Sequence, residues 1–210
     1  LAVAEGFMED LEQARIYLRN ELHSDVLDPR VEKFLEVGPK MVEFFHSHTD
    51  VRFFSGSKMP DFHASEGFAS GGRSICALPF DGRRLGPWIN KLRRPLDIIS
   101  LAGMGIAGGA DLNHFLNASR SARSLLYSGK RLLRHVRDVI CHGRSMHLVN
   151  GNALVARLLK SAVDRNVRLL TESPVQNLLL EDQRVVGARF EHSGRLSDIR
   201  ARRGVVLACG

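Results

Sequence analysis

The six residues Gly103–Gly108 have the Gly-x-Gly-x-x-Gly spacing of a dinucleotide-binding loop, between an apolar stretch and a predicted helix. Such glycines let the backbone approach a pyrophosphate at a helix start, inside a strand–helix–strand unit whose second strand ends in an acidic residue. Here a second, long, basic helix follows instead, and no strand ending in Asp or Glu comes about twenty residues later. We therefore interpret the spacing as coincidental. A nicotinamide-dependent oxidoreductase using Gly103–Gly108 stays open as an alternative.

The residues that could bind a metal or form disulfides are poorly grouped. His46 and His48 lie two residues apart with no further ligand nearby, so no metal site is expected. Cys76, Cys141 and Cys209 are widely spaced and odd in number, which argues against a disulfide framework. We expect reduced thiols and a cytoplasmic protein.

The net charge of +7 favours acidic partners, but the arginines are scattered along the chain. Basic residues are densest on a predicted helix over 121–141, where they are interpreted as a solvated face. No nucleic-acid partner is expected; a non-catalytic module that binds nucleic acid or a protein through this helix is a second alternative. No apolar run of eighteen residues exists, so no membrane span is expected.

Helical periodicity dominates the first fifty residues. Apolar residues spaced along Phe7–Leu22 predict an amphipathic helix. Asp28 as N-cap and Pro29 at the first helical position predict the start of a second helix. Gly38–Pro39 is expected to interrupt it, with a further helix over Lys40–Ser47.

The middle of the chain alternates between irregular and helical patterns. From 49 to 95 the periodicity is lost, and aromatic residues suggest a loop folded onto apolar surface. The long helix over 121–141 follows, and six residues are predicted to form its buried face: Leu125, Leu126, Leu132, Leu133, Val136 and Ile140.

The last sixty residues predict an alternation of helix and strands. Asn150 is a suitable N-cap for a helix that reaches Asn166, and Val167–Leu170 follows as a short strand. Three further strands predict an antiparallel meander: Pro174–Leu180, Arg184–Glu191 and Leu196–Ala201. The uniformly apolar Val205–Ala208 is typical of a parallel strand covered on both faces.

These segments also resemble a known family. Gly151–Leu158, Val175–Ala188 and Val205–Gly210 look like flavoproteins of the fumarate reductase and 3-ketosteroid Δ1-dehydrogenase superfamily. On the steroid-dehydrogenase side of that group, Pro60–His63 and Gly72–Ser74, followed by Pro-Phe-Asp-Gly-Arg over 79–83, are similar to a loop of those enzymes.

The resemblance implies FAD as cofactor and assigns roles to four residues. Val175 matches a position where main-chain groups hold the adenine. Ala208, Cys209 and Gly210 match an Ala-Thr-Gly-like strand end beside the flavin nucleotide, where small residues let the backbone come close. Cys209 replaces the commoner threonine.

Phe62 and His63 are the candidate catalytic positions. The resemblance places a hydroxyl-bearing aromatic residue near Phe62, and phenylalanine has no proton to donate. Either the adjacent His63 supplies the acid or base, or the substrate differs.

Together these observations predict an α/β fold: a partial FAD-binding Rossmann-like domain, with helices on a parallel sheet and an inserted three-stranded antiparallel β-meander. Residues 1–210 would form one incomplete FAD-binding domain, divided at 1–48, 49–95, 96–149 and 150–210. The family's first phosphate loop and its substrate domain are not recognised in the chain, so we expect a fragment that alone is inactive and binds FAD weakly or not at all.

The parent protein would transfer hydride between a substrate carbon and FAD, with the flavin supplying the redox chemistry. Its partner would be a small molecule, steroid-like or another hydrophobic ketone or acid. The predicted sheet is incomplete, so we expect either that the chain is truncated or that its exposed sheet edge is covered by self-association.

Overall fold

The structure, a computed structural model, describes Gly6 and residues 10–209, and the chain divides into two compact units, Leu1–Asn166 and Val167–Gly210. In chain order the first unit contains α1 (Leu11–Leu22), α2 (Pro29–His48), β1 (Phe53–Ser55), β2 (Ile75–Ala77), β3 (Phe80–Asp81), β4 (Ser100–Leu101), β5 (Met104–Gly105), α3 (Ala110–Leu116), α4 (Ala122–His142), β6 (His147–Leu148) and α5 (Asn150–Asp164), with 3₁₀ helices over Gly82–Lys91 and Asp97–Ile99. The second contains β7 (Val175–Glu181), β8 (Arg184–His192) and β9 (Arg195–Arg200).

The first two helices begin where capping side chains satisfy free backbone donors. The Asp10 carboxylate accepts from the Glu12 N–H at 2.9 Å, and residues 7–9 of the predicted helix lie outside the described residues. Asp28 accepts from the Arg30 N–H at 2.8 Å, and Pro29 takes the first helical position, as predicted.

The predicted break at Gly38–Pro39 is wrong, because α2 runs through Pro39 as one helix of twenty residues. Proline removes its own N–H from the ladder and crowds the carbonyl four residues earlier, but these local costs do not end α2. The bonds of the turns on both sides are sufficient to continue the helix.

The segment 49–95 is more regular than expected and supplies much of the core of the first unit. Phe80, Leu85 and Ile89 pack with residues of β6 and α5 in one buried cluster. Arg157 of α5 is also buried; its guanidinium donates to the carbonyls of residues 50, 78 and 79 at 2.7–3.0 Å. Because these loop carbonyls are bonded to Arg157, the irregular backbone can lie against α5 without unsatisfied polar groups.

The face of α4 that packs on its own unit is polar, and the predicted apolar face is wrong. Ser128 donates to the His114 carbonyl at 3.3 Å, and the His135 Nε2 donates to the Ala102 carbonyl at 3.1 Å. Asp138 on the same face is fully buried. The apolar side chains predicted to be buried are exposed instead: Leu125, Leu126, Leu132, Leu133, Val136 and Ile140. Hydrogen bonds, which the apolar periodicity does not reveal, decide which face is buried.

The predicted parallel sheet is not present in the described part of the chain. The strands there form four antiparallel sheets, β1–β2, β3–β6, β4–β5 and β7–β8–β9. Val167–Leu170 and Val205–Ala208 have no strand structure. A strand exists only where a neighbour exchanges backbone hydrogen bonds with it, and neither segment has such a neighbour among these residues.

The predicted meander is confirmed as β7–β8–β9. Both of its connections are two-residue turns with positive φ at both positions, Asp182–Gln183 and Ser193–Gly194. This is the backbone geometry that matches the twist of a tight antiparallel hairpin.

Gly187 allows β8 to approach β9 closely. A Cβ at this position would lie 2.1 Å from the Ile199 carbonyl oxygen and 3.1 Å from the Arg200 Cα. We expect Gly187→Ala to separate the two strands and lower the stability of the meander by about 1–3 kcal/mol, as overpacking does. Hydrogen exchange of the β8 and β9 amides would detect the change, with Gly129→Ala as control, because a Cβ there meets nothing within 4 Å. Unchanged protection in Gly187→Ala would contradict the close approach.

Candidate functional site

His63 is held against helix α1 by a carboxylate. The His63 Nδ1 lies 2.5 Å from the Glu21 Oε2, and the His63 N–H donates to the Tyr17 hydroxyl at 3.3 Å. A carboxylate accepts only, so Nδ1 is the donor, and Nε2 has no hydrogen-bond partner in the described part of the chain. The His63 side chain is 73% exposed. The ring therefore has a fixed orientation and one nitrogen available to a ligand.

Glu21 is itself positioned by the loop. Its second oxygen accepts from the Ser65 hydroxyl at 2.9 Å, and the carboxylate is one-quarter exposed. The hydrogen bond from His63 lowers the pKa of Glu21, and Ser65 acts in the same direction. Glu21 is therefore an anion that can stabilise a positive charge on the imidazole.

The loop that carries His63 is tied together by Asp61. Its Oδ2 accepts from the Arg73 Nη1 at 2.6 Å and from the Ala69 N–H at 3.0 Å. Gly67 lies so close to α1 that a Cβ would meet the Gln13 carbonyl oxygen at 2.5 Å. Residues 61–73 thus form a closed loop on α1, with His63 at its outer side.

Phe62 lies beside His63 but points to solvent. Its side chain is 98% exposed, so no described residue covers the ring. Tyr17 and Glu21, which contact His63 and lie four residues apart on α1, were not predicted from the sequence. Their helical spacing puts them on one face, but only the tertiary structure places that face beside the loop.

The glycine-rich run Gly103–Gly108 does not form a dinucleotide loop. Ala102 and Gly103, both with positive φ, make the turn of the β4–β5 hairpin. The next helix, α3, begins only at Ala110. An antiparallel hairpin lacks the strand–helix junction that directs amides at a pyrophosphate. The alternative of a nicotinamide site here is therefore not favoured.

The basic helix α4 is also less accessible to a nucleic acid than its charge suggests. Arg131 of α4 is mostly buried; it donates to the Gly105 carbonyl at 3.0 Å and lies 3.4 Å from the Asp111 Oδ2. The outward face of α4 carries exposed leucines beside its charges. This mixed surface does not favour a module that binds nucleic acid through α4.

Three of the four predicted cofactor positions, Val175, Ala208 and Cys209, can be compared with the needs of FAD. Val175 is the first residue of β7, and among the described residues β7 pairs only with β8. Main-chain groups on the other edge of β7 can therefore form hydrogen bonds with an adenine. Cys209 is exposed at the end of an extended segment, next to Ala208, and both side chains are small. Gly210 lies outside the described residues. These positions fit FAD by their main chain, and their roles stay predictions.

Gly6 and 10–209 contain no group of three His, Cys, Asp or Glu that could hold a metal ion. Across the same residues, no helix is both long enough and apolar enough to cross a membrane.

The chain belongs to the FAD binding domain family, whose model matches residues 2–210. The predicted resemblance is therefore confirmed. Among curated relatives, a 4-oxocyclohex-2-ene-1-carboxylate 5-dehydrogenase of Sinomonas cyclohexanicum is 32% identical over 95% of this chain and 34% of its own length. A 3-oxosteroid 1-dehydrogenase of Comamonas testosteroni is 28% identical over 98% of this chain and 36% of its own.

A solved structure gives the same result. The 3-ketosteroid Δ1-dehydrogenase of Sterolibacterium denitrificans, in complex with 1,4-androstadiene-3,17-dione, has a TM-score of 0.80 and 27% identity over 97% of this chain and 38% of the solved chain. The chain thus spans about a third of the length of these relatives.

Proposed function

We propose that the whole protein is an FAD-dependent dehydrogenase that introduces a double bond beside the carbonyl group of a cyclic ketone. The observation that carries the proposal is the structural likeness to a dehydrogenase bound to a steroid dienone, over 97% of the chain. The named relatives act on 3-oxosteroids and on 4-oxocyclohex-2-ene-1-carboxylate, both cyclic ketones. FAD, when bound, accepts the hydride from the substrate.

In this proposal His63 handles the proton that accompanies the hydride. Its Nε2 takes the proton from the substrate carbon, while Glu21 holds Nδ1 at 2.5 Å. The negative charge of Glu21 stabilises the imidazolium that results. Phe62 would contact the substrate through its exposed ring, as an apolar wall with no proton to give.

Val175 is proposed to hold the adenine through main-chain groups at the free edge of β7. Ala208, Cys209 and Gly210 would approach the flavin nucleotide with their backbone. We further propose that Val167–Leu170 and Val205–Ala208 become strands of a parallel sheet in the whole protein, because both are rich in apolar residues and would gain strand neighbours there.

The proposal is tested by anaerobic mixing of the full-length, FAD-loaded protein with candidate ketones. We expect 4-oxocyclohex-2-ene-1-carboxylate or a 3-oxosteroid to bleach the flavin absorbance, with the dehydrogenated ketone as product. Cyclohexanecarboxylate, which has no ketone on the ring, is the control. Flavin that stays oxidised with both ketones would contradict the proposed activity, and a preference between them would identify the substrate class.

A further inference from the structure

A cavity of about 580 Å³ lies in the first unit, between the N-terminal end of α5, the C-terminal end of α4 and residues 91–105. Its volume is typical of small-molecule sites. Much of its wall is apolar: Leu92, Pro95, Leu96, Val139, Val149 and Val155. Its polar wall is basic or neutral, and none of the described Asp or Glu residues lines it.

Arg144 is a buried cation in this wall without a counter-charge. The residue is 7% exposed, and its Nη1 donates to the carbonyls of Ile89 and Leu92, both at 2.7 Å. Its Nε and Nη2 are buried without a hydrogen-bond partner, and no described carboxylate forms an ion pair with it. A guanidinium in such a position is strongly unfavourable unless an anion accompanies it.

The surroundings of Arg144 add further donors and positive charge. Burial, and then the charge of Arg94, lowers the pKa of Arg144. Ser145 also lines the cavity, with a buried hydroxyl that has no partner. His147, another lining residue, is neutral at pH 7, because burial, followed by Arg131, lowers its pKa to about 4. The unmatched buried charge in the wall is therefore that of Arg144.

The N-terminus of α5 opens on the same cavity. This helix of fifteen residues has no side-chain cap and no acidic residue in its first turn. Asn150, Gly151 and Asn152 line the cavity, and the first amides of a helix have no partner within it. Together with the positive end of the helix dipole, these amides favour an anion.

We propose that this cavity binds a small apolar carboxylate, with its charged group between Arg144 and the N-terminus of α5. The hydrocarbon body would lie against the apolar wall that includes Leu92 and Val139. The site is additional to the proposed positions for FAD and for proton transfer at His63, and it does not depend on them.

The test is a calorimetric titration of the full-length holoenzyme with hexanoate, with 1-hexanol and inorganic phosphate as comparisons. We expect hexanoate to bind with a dissociation constant of about 1 mM or below, which is within the range for a ligand of this size. Hexanol, which lacks the charge, and phosphate, which lacks the apolar body, should bind at least about ten-fold more weakly.

Gly151 offers a matched pair of variants that should fold. It is exposed, and a Cβ there meets nothing within 4 Å. Gly151→Asp puts an anion at the helix N-terminus, which favours the helix but should weaken hexanoate binding by about ten-fold or more. Gly151→Asn should change the affinity for hexanoate by less than about two-fold. Arg94→Gln, which removes a positive charge from the cavity wall, should weaken hexanoate binding by about three-fold.

Three results would overturn the proposal. They are no measurable hexanoate binding, equal binding of hexanol or phosphate, and hexanoate binding that Gly151→Asp leaves unchanged. None of them depends on catalytic activity, so this test is separate from that of the proposed function.

Discussion

Replacement of His63 by alanine in the full-length enzyme is expected to lower kcat by roughly 10²- to 10⁴-fold, the usual contribution of a positioned acid or base. The expectation rests on the 2.5 Å contact between the His63 Nδ1 and the Glu21 Oε2, which orients the ring. Steady-state kinetics with the preferred ketone would measure the effect. His142→Ala, at an exposed histidine at the end of α4, is the control.

Variants at Glu21 and Phe62 distinguish the orientation of the His63 ring from proton transfer by that ring. Glu21→Gln keeps an acceptor for Nδ1 but removes the negative charge, so we expect kcat to fall by about ten-fold with KM changed little. Phe62→Tyr restores a hydroxyl group beside His63. If His63→Ala keeps full activity, the proton transfer does not belong to His63.

Replacement of Asp138 by alanine is expected to lower the free energy of unfolding by about 3 kcal/mol, as loss of one partner of a buried ion pair does. Asp138 is fully buried; one carboxylate oxygen accepts from the Arg83 guanidinium and the other from the Met146 N–H at 3.2 Å. The alanine variant leaves the Met146 N–H unsatisfied and removes one of the two carboxylates that pair with Arg83. Arg83 is one-third exposed, which places the cost at the lower end of the range for buried pairs.

Chemical denaturation of the purified protein would measure this effect. Asp138→Asn keeps one acceptor, so its cost should be about 1–2 kcal/mol. Asp25→Ala, at an exposed aspartate, should lie within about 0.5 kcal/mol of the parent. Equal stability of the Asp138→Ala and Asp25→Ala variants would show that the Arg83–Asp138 pair does not hold the 3₁₀ segment to α4.

Local patterns predicted the parts of the fold that depend on local chemistry. Asp28 and Pro29 start α2 because capping and a fixed φ act within one turn. The sequence pattern predicted the three strands of the meander, and the structure places its two short turns at Asp182–Gln183 and Ser193–Gly194. Pro60–His63 located the loop with the candidate histidine, and the family resemblance predicted FAD, which the match to the FAD binding domain family bears out.

Tertiary structure decided what depends on partners distant in sequence. The apolar stripe of α4 did not show that Ser128, His135 and Asp138 lie on the buried face. These side chains are buried because they form hydrogen bonds with backbone groups outside α4, which helical periodicity does not indicate. Val205–Ala208 has the composition of a buried strand but no strand neighbour in the described residues.

The same limit explains the candidate site. His63 is visible in the sequence as a single histidine in a loop, whereas its partner Glu21 lies forty-two residues earlier on α1. The sequence by itself therefore determined the family, the local elements and the candidate residue. Only the packing of the loop on α1 decided that a carboxylate orients this histidine, because a 2.5 Å contact between distant residues is a property of the folded chain.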